Sequence, residues 1–192
     1  MQVIRVHQFG GPQVLRFEEL PTPDPGPAEA LVRLEAVGVN FVDIYQREGQ
    51  YKMQLPFSVG GEGAGVVEAV GREVTDLRPG ERVAFGNGVP GTYATHAVGP
   101  AARMVKIPPG VDTKTAGAAM LQGMTAHYLT HTTYPLGPGD TALVHAAAGG
   151  VGLLLIQMAK MRGARIFGTV STEAKAALAR GAGADDVILY SQ

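Results

Sequence analysis

Residues 141–170 read TALVHAAAGGVGLLLIQMAKMRGARIFGTV. The short apolar block TALVHA (141–146) predicts a buried strand, and GGVGLLLIQMAKMRG (149–163) predicts a nearly all-apolar helix that stops at Gly163. ARIFGTV (164–170) then predicts a second buried strand. Downstream, TEAKAALARGAG (172–183) has the pattern of an amphipathic helix and DVIL (186–189) that of a third strand. Strand, helix, strand, helix, strand with short links opens a doubly wound parallel sheet. The run AAAGGVG (146–152) falls where the first strand meets the first helix.

That position suits an anion. The first turn of a helix carries N–H groups without intrahelical partners and the positive end of the helix dipole. AAAGGVG fits the dinucleotide fingerprint G-x-G-x-x-G/A with Ala147 in the first glycine position, followed by Gly149 and Gly152. Gly149 would let the backbone approach a pyrophosphate, and Gly152 would let the helix lie close to the strand. The same glycines also suit a tight helix–sheet contact that binds nothing. The end of the second strand bears on the cofactor. An enzyme preferring NAD carries Asp or Glu there to accept from the ribose 2′-OH, whereas this chain has Gly168-Thr169-Val170-Ser171-Thr172 and no acid before Glu173. Ser171 as a donor and Lys175 as a point charge suit a 2′-phosphate, hence NADPH. An exposed Lys on a solvated helix face is the alternative reading of Lys175.

Upstream of about Val111 the texture is that of short strands between Gly/Pro turns. VIRVHQF opens as a strand, PTPDPGP (21–27) is a surface connection, and ALVRLEAVGV (30–39) reads as a half-buried strand. NFVDIYQREG (40–49) reads as a short helix capped by Asn40, with Asp43 three residues on and Gly49 at its end. GERVAF, GTYATHAV and AARMVKI add further strands, and the spacing predicts a compact, irregular β-barrel. A helical run begins at Asp112 or Thr113. A second glycine cluster, VGGEGAGVVEAVG (59–71), is followed by a strand, so no helix N-terminus faces an anion there. Glycine in a strand costs about 0.5–1 kcal/mol relative to Ala, so this cluster points to bends, bulges or close backbone approach.

With 192 residues, 45% apolar and 17% charged, the chain has a globular composition and room for one large domain or two small ones. The net charge of −1 gives no footprint for nucleic acid. The N-terminus lacks the apolar core of a signal peptide, and no stretch is long and apolar enough for a membrane span. There are no cysteines, which removes disulfides, thiolate metal sites and cysteine nucleophiles and fits a cytoplasmic setting.

AVGVNFVDIYQREG, GGEGAGVVEAVG, PGERVAF, GMTAHYL and HAAAGGVGLLLIQMAK together resemble the medium-chain dehydrogenase/reductase superfamily, and within it the zinc-free, zeta-crystallin-like quinone oxidoreductases. The likeness runs over the whole chain in the family's order and spacing. It implies a GroES-like β-barrel substrate domain at 1–118 and the first half of a Rossmann domain at 119–192. In the zinc-dependent branch, the motif matching 60–65 begins Gly-His-Glu and its His binds catalytic zinc; here Gly61 stands in that place and Glu62 remains. The zinc-binding cysteine is also absent, with Asn40 or a neighbour at its position. A catalytic zinc needs three protein ligands, so the resemblance implies no metal and direct hydride transfer from NADPH to a quinone or an activated alkene. It further implies cofactor contacts from Asn40, Thr125, Gly149, Gly150, Val151, Ser171, Lys175 and Tyr190. Ser171 stands where close relatives carry Gly, and Gln122 where some carry Lys. Tyr45 and Tyr51 match aromatic positions lining the quinone pocket, where each could stack on a ring or donate to a carbonyl oxygen; half-buried packing is the alternative reading.

His127 and His131 lie four apart on the helical run without a third ligand, so packed or solvent-facing rings are expected. His145 is expected to make a strand-end hydrogen bond. The family's chains are longer, so a fragment with an open sheet edge is expected, and a homodimer at full length. Three functions follow: an NADPH-dependent quinone reductase, a reductase of α,β-unsaturated carbonyls, or a non-catalytic NADPH-binding or structural fragment.

Overall fold

The structure, a computed structural model, describes residues 1–191. It divides into two compact units, Met1–Leu121 and Gln122–Gln192. The first carries strands β1 (Gln2–Val6), β2 (Leu15–Glu19) and β3 (Glu29–Val37), helix α1 (Phe41–Glu48), and strands β4 (Phe57–Ser58), β5 (Gly63–Val70), β6 (Arg82–Phe85), β7 (His96–Pro100) and β8 (Val105–Lys106). Helix α2 (Thr113–Tyr128) contains the boundary and continues into one π-helical turn at Leu129–Thr133. The second unit then runs β9 (Thr141–Val144), α3 (Gly150–Met161), β10 (Arg165–Val170), α4 (Glu173–Gly181) and β11 (Asp186–Leu189). Among the described residues, no helix is long and apolar enough to cross a membrane.

The β-rich unit forms two open sheets, ordered β2-β1-β4 and β7-β3-β5-β6-β8, rather than the closed barrel expected from the strand spacing. Closure needs edge strands long enough to pair around the ring. Here β8 is two exposed residues, β4 is two residues, and β7 ends on a proline that has no N–H to give. An isolated antiparallel bridge joins Val3 of β1 to Ala94.

β3 also departs from simple alternation. Its register against β5 shifts between Leu31 and Val32 and again between Leu34 and Ala36; Leu31 and Val32 are both buried, while Arg33 and Glu35 stay exposed. The glycines of β5 belong to this irregular pairing: a Cβ at Gly65 would lie 2.0 Å from the Arg33 carbonyl oxygen. Close backbone approach explains that part of the cluster. Val32, Val67, Val83 and Phe85 fill the core beneath the sheet.

In the second unit the sheet is parallel, ordered β11-β10-β9, and α3 and α4 touch each other while both pack on β10. Val144, Ile156, Ile166, Val170, Ala176 and Ala179 form the core between sheet and helices. β9 and β10 read as buried strands, but burial across the sheet is uneven: Leu143 on β9 is 55% exposed and Ile188 on β11 is 48% exposed. Period-two alternation places those two side chains on the face that α3 and α4 do not cover.

Helix α2 begins beside Asp112, whose carboxylate accepts from the Thr115 N–H at 2.8 Å and the Thr115 hydroxyl at 2.7 Å. These bonds, the hydroxyl first, hold Asp112 below the ordinary carboxylate value. A depressed carboxylate contributes stability above its unfolded value and loses it as pH falls through the folded one. The contribution is therefore lost below about the ordinary Asp value near 4. Asp112→Asn should show a smaller drop in thermal midpoint than the parent between neutral pH and pH about 3, measured by circular dichroism; parallel curves would refute the assignment.

Candidate functional site

In the second unit the junction of β9 and α3 has the geometry of an anion seat. Gly149 is the N-cap residue, with φ −80° and ψ 170°, and α3 starts at Gly150. Gly149 and Gly150 are exposed and Val151 is partly exposed, and the N–H groups of a helix's first turn have no intrahelical partner. The turn itself is tight. Ala146 has φ 49°, the left-handed region that an L side chain rarely occupies. Ala147, in the first fingerprint position, is fully buried, and its neighbour Ala146 carries the left-handed bend. A Cβ at Gly152 would lie 2.5 Å from the Ala146 carbonyl oxygen and 2.8 Å from the Ala147 carbonyl carbon. Helix and strand end thus approach through bare backbone.

The side chain of Gln122 lies over Gly150: a Cβ there would meet Gln122 Oε1 at 2.0 Å. Thr125, a turn further along α2, is half-buried. At the end of β10, Lys175 Nζ donates to Ser171 Oγ at 3.1 Å, so a cation and a hydroxyl are brought together. The neighbouring Glu173 is instead ion-paired with Arg180 at 3.7 Å. Tyr190 is 64% exposed, and its N–H donates to the Val170 carbonyl at 3.2 Å. Ser191 Oγ donates to the Ser171 carbonyl at 2.7 Å, which fastens the same corner. His145 Nδ1 lies 3.1 Å from Thr169 Oγ1 and joins the ends of β9 and β10. His127 and His131 stack at 4.1 Å between ring centroids, nearly parallel at 10°.

The first unit gathers a different set. Asn40 and Asp43 form a capping box at the start of α1, in which the Asp43 carboxylate accepts from the Asn40 N–H at 2.8 Å. Asn40 Nδ2 donates to Glu62 Oε2 at 2.8 Å. Asp43 is buried and also accepts from the Tyr93 hydroxyl at 2.9 Å. Burial, and then the Asp43 carboxylate, push the Tyr93 phenol above its ordinary value, so it remains a neutral donor. Tyr45 packs edge-on against Tyr51 at 5.8 Å, and Phe41 approaches Tyr45 at 6.5 Å. Tyr51 is 53% exposed, so this aromatic row presents faces to solvent as well as to itself.

Sequence reasoning did not find the Asp43–Tyr93 bond or the burial of Glu62, which is 1% exposed. A lone acid inside a run of glycines and small apolar residues was the available signal for the second. Gly61 is the counter-case to the other glycines. Nothing lies within 4 Å of where its Cβ would be, and its φ is ordinary, so no steric demand excludes a side chain there. Among the described residues, no group of three or more His, Cys, Asp or Glu could hold a metal ion.

Residues 26–109 match the alcohol dehydrogenase GroES-like domain, and residues 150–192 match the zinc-binding dehydrogenase family. The chain therefore belongs to the medium-chain dehydrogenase/reductase superfamily, with a GroES-like part followed by a Rossmann-type part. Within it, the chain is 47% identical over 189 residues to a quinone oxidoreductase of Pseudomonas aeruginosa, covering 98% of this chain and 58% of that protein. It is 43% identical to a 2-haloacrylate reductase of a Burkholderia species, covering 97% of this chain and 58% of the relative. A solved structure of Escherichia coli quinone oxidoreductase complexed with NADPH matches with TM-score 0.97 at 39% identity, covering 100% of this chain and 59% of that one. The chain spans somewhat more than half the length of these relatives.

Proposed function

We propose that this chain belongs to an NADPH-dependent quinone reductase that transfers hydride directly, without zinc. The observation that carries the cofactor reading is the Lys175–Ser171 contact at the end of β10, beside an open helix N-terminus. Lys175 and Ser171 would hold the 2′-phosphate, with Tyr190 beside them, and the Gly149-Gly150-Val151 turn would hold the pyrophosphate. Asn40 and Thr125 would complete the contacts. NADPH, when bound, supplies the hydride. Tyr45 and Tyr51 would orient a flat ring by stacking and could donate to its carbonyl oxygen as negative charge develops there. A quinone fits these groups because its carbonyls are already electrophilic.

Zinc does not fit the residues present. The chain has no cysteine, Gly61 has no side chain, and both Glu62 oxygens are turned inward to protein donors. No step is therefore routed through a metal. NADPH consumption by the whole gene product should proceed with a benzoquinone or a naphthoquinone, and dialysis against a chelator should leave the rate within about twofold. No turnover with any quinone would sink the proposal; a chelator-induced loss that zinc restores would sink its zinc-free part. The resemblance to a 2-haloacrylate reductase supports a second reading, reduction of activated alkenes. Running both acceptor classes side by side distinguishes the two.

A further inference from the structure

Glu62 is a buried carboxyl group without an ionic partner. It is 1% exposed, and among the described residues no Lys, Arg or His forms an ion pair with it. Its two oxygens are used by two protein donors: Oε1 accepts from the Leu121 N–H in α2 at 2.7 Å, and Oε2 accepts from Asn40 Nδ2 at 2.8 Å. The seat is built for it, since a Cβ at Gly38 would lie 1.9 Å from Oε2. Burying such a group is costly unless its bonds do something. One of its donors belongs to a backbone that cannot turn; the other belongs to an amide that can.

We propose that Glu62 is a positioning residue that fixes which way the Asn40 carboxamide faces. An acceptor on one side requires Nδ2 there, and the capping box directs the Asn40 oxygen to the first turn of α1. The second Nδ2 hydrogen is then the group left to meet a ligand, so Asn40 offers a fixed N–H donor to an acceptor oxygen. This rests on the proposed role of Asn40 as a cofactor contact.

The test is a double-mutant cycle in the whole gene product, because a residue acting through another is silent once that other is removed. Glu62→Gln keeps its oxygen on the Leu121 N–H and sets an NH2 against the Asn40 NH2, leaving the amide without a satisfied orientation. It should lower kcat/KM for NADPH about tenfold. Asn40→Ala should cost at least as much, and Glu62→Gln added to Asn40→Ala should cost less than about twofold more. Additive losses, or Glu62→Gln with parental kinetics, would overturn the proposal. Should Glu62→Gln fail to fold, Asn40→Asp/Glu62→Gln restores every internal bond. It should recover the thermal midpoint yet stay at the Asn40→Ala level of kcat/KM, because the outward N–H is gone; parental activity there would refute the donor role. If the parent shows no turnover, the quinone reading fails by itself, and the same cycle is read as NADPH affinity by fluorescence. A parent that neither turns over nor binds NADPH overturns both.

Discussion

Gly152→Ala is expected to weaken NADPH binding at least a hundredfold and to destabilise the second unit by about 1–3 kcal/mol. The methyl group would sit 2.5 Å from the Ala146 carbonyl oxygen and 2.8 Å from both the carbon and the oxygen of the Ala147 carbonyl. All three are backbone atoms, so no side chain can rotate out of the way. Relief needs α3 to lift off the end of β9 or the turn to unwind. The turn already holds Ala146 at φ 49°, a conformation that costs of order 1–3 kcal/mol, so it has little further strain to absorb. Moving α3 displaces the N–H groups of Gly150 and Val151, which are the proposed pyrophosphate donors. An NADPH titration followed by fluorescence should show at least a hundredfold weaker affinity, together with a lowered thermal midpoint. Parental affinity would show that the close contact is dispensable and that AAAGGVG is not the phosphate seat.

Lys175→Glu is expected to invert the cofactor preference. Lys175 Nζ stands 3.1 Å from Ser171 Oγ, and Glu173, the nearest acid in sequence, is engaged with Arg180. A carboxylate at position 175 would repel a 2′-phosphate and could accept from a ribose 2′-OH, the arrangement that NAD-preferring sites use. The ratio of kcat/KM for NADPH to that for NADH should fall about a hundredfold at low ionic strength. It should fall less in high salt, because the exposed charge is screened. An unchanged ratio would leave Lys175 as a solvated helix residue and the cofactor preference unexplained.

Much of the architecture was readable along the chain. Apolar blocks bounded by Gly163 and Gly183 marked the strand–helix alternation of the second unit, and Asn40, Asp43 and Gly49 marked both ends of α1. These are local signals: a cap, a left-handed stop and an apolar period each involve residues within a few positions of one another. The pairing of Ser171 with Lys175 is local in the same way, since four residues bridge a strand end and a helix start.

What could not be read locally depends on partners far apart in sequence. The two register shifts between β3 and β5, about thirty residues apart, arise in the pairing of the strands and are not marked in the local pattern of β3. The open edges at β7 and β8 follow from how few residues pair there, not from composition. Glu62 draws its donors from residues 40 and 121, so only the assembled unit turns it from an orphaned metal-motif acid into the anchor of Asn40. The sequence by itself determined the order of elements, the glycine turn at the start of α3 and the absence of thiol ligands. Tertiary structure alone decided the burial of Glu62 and the left-handed bend at Ala146. The physical reason is that short-range propensities act along the chain, whereas burial and hydrogen-bond pairing are settled between segments the chain brings together only on folding.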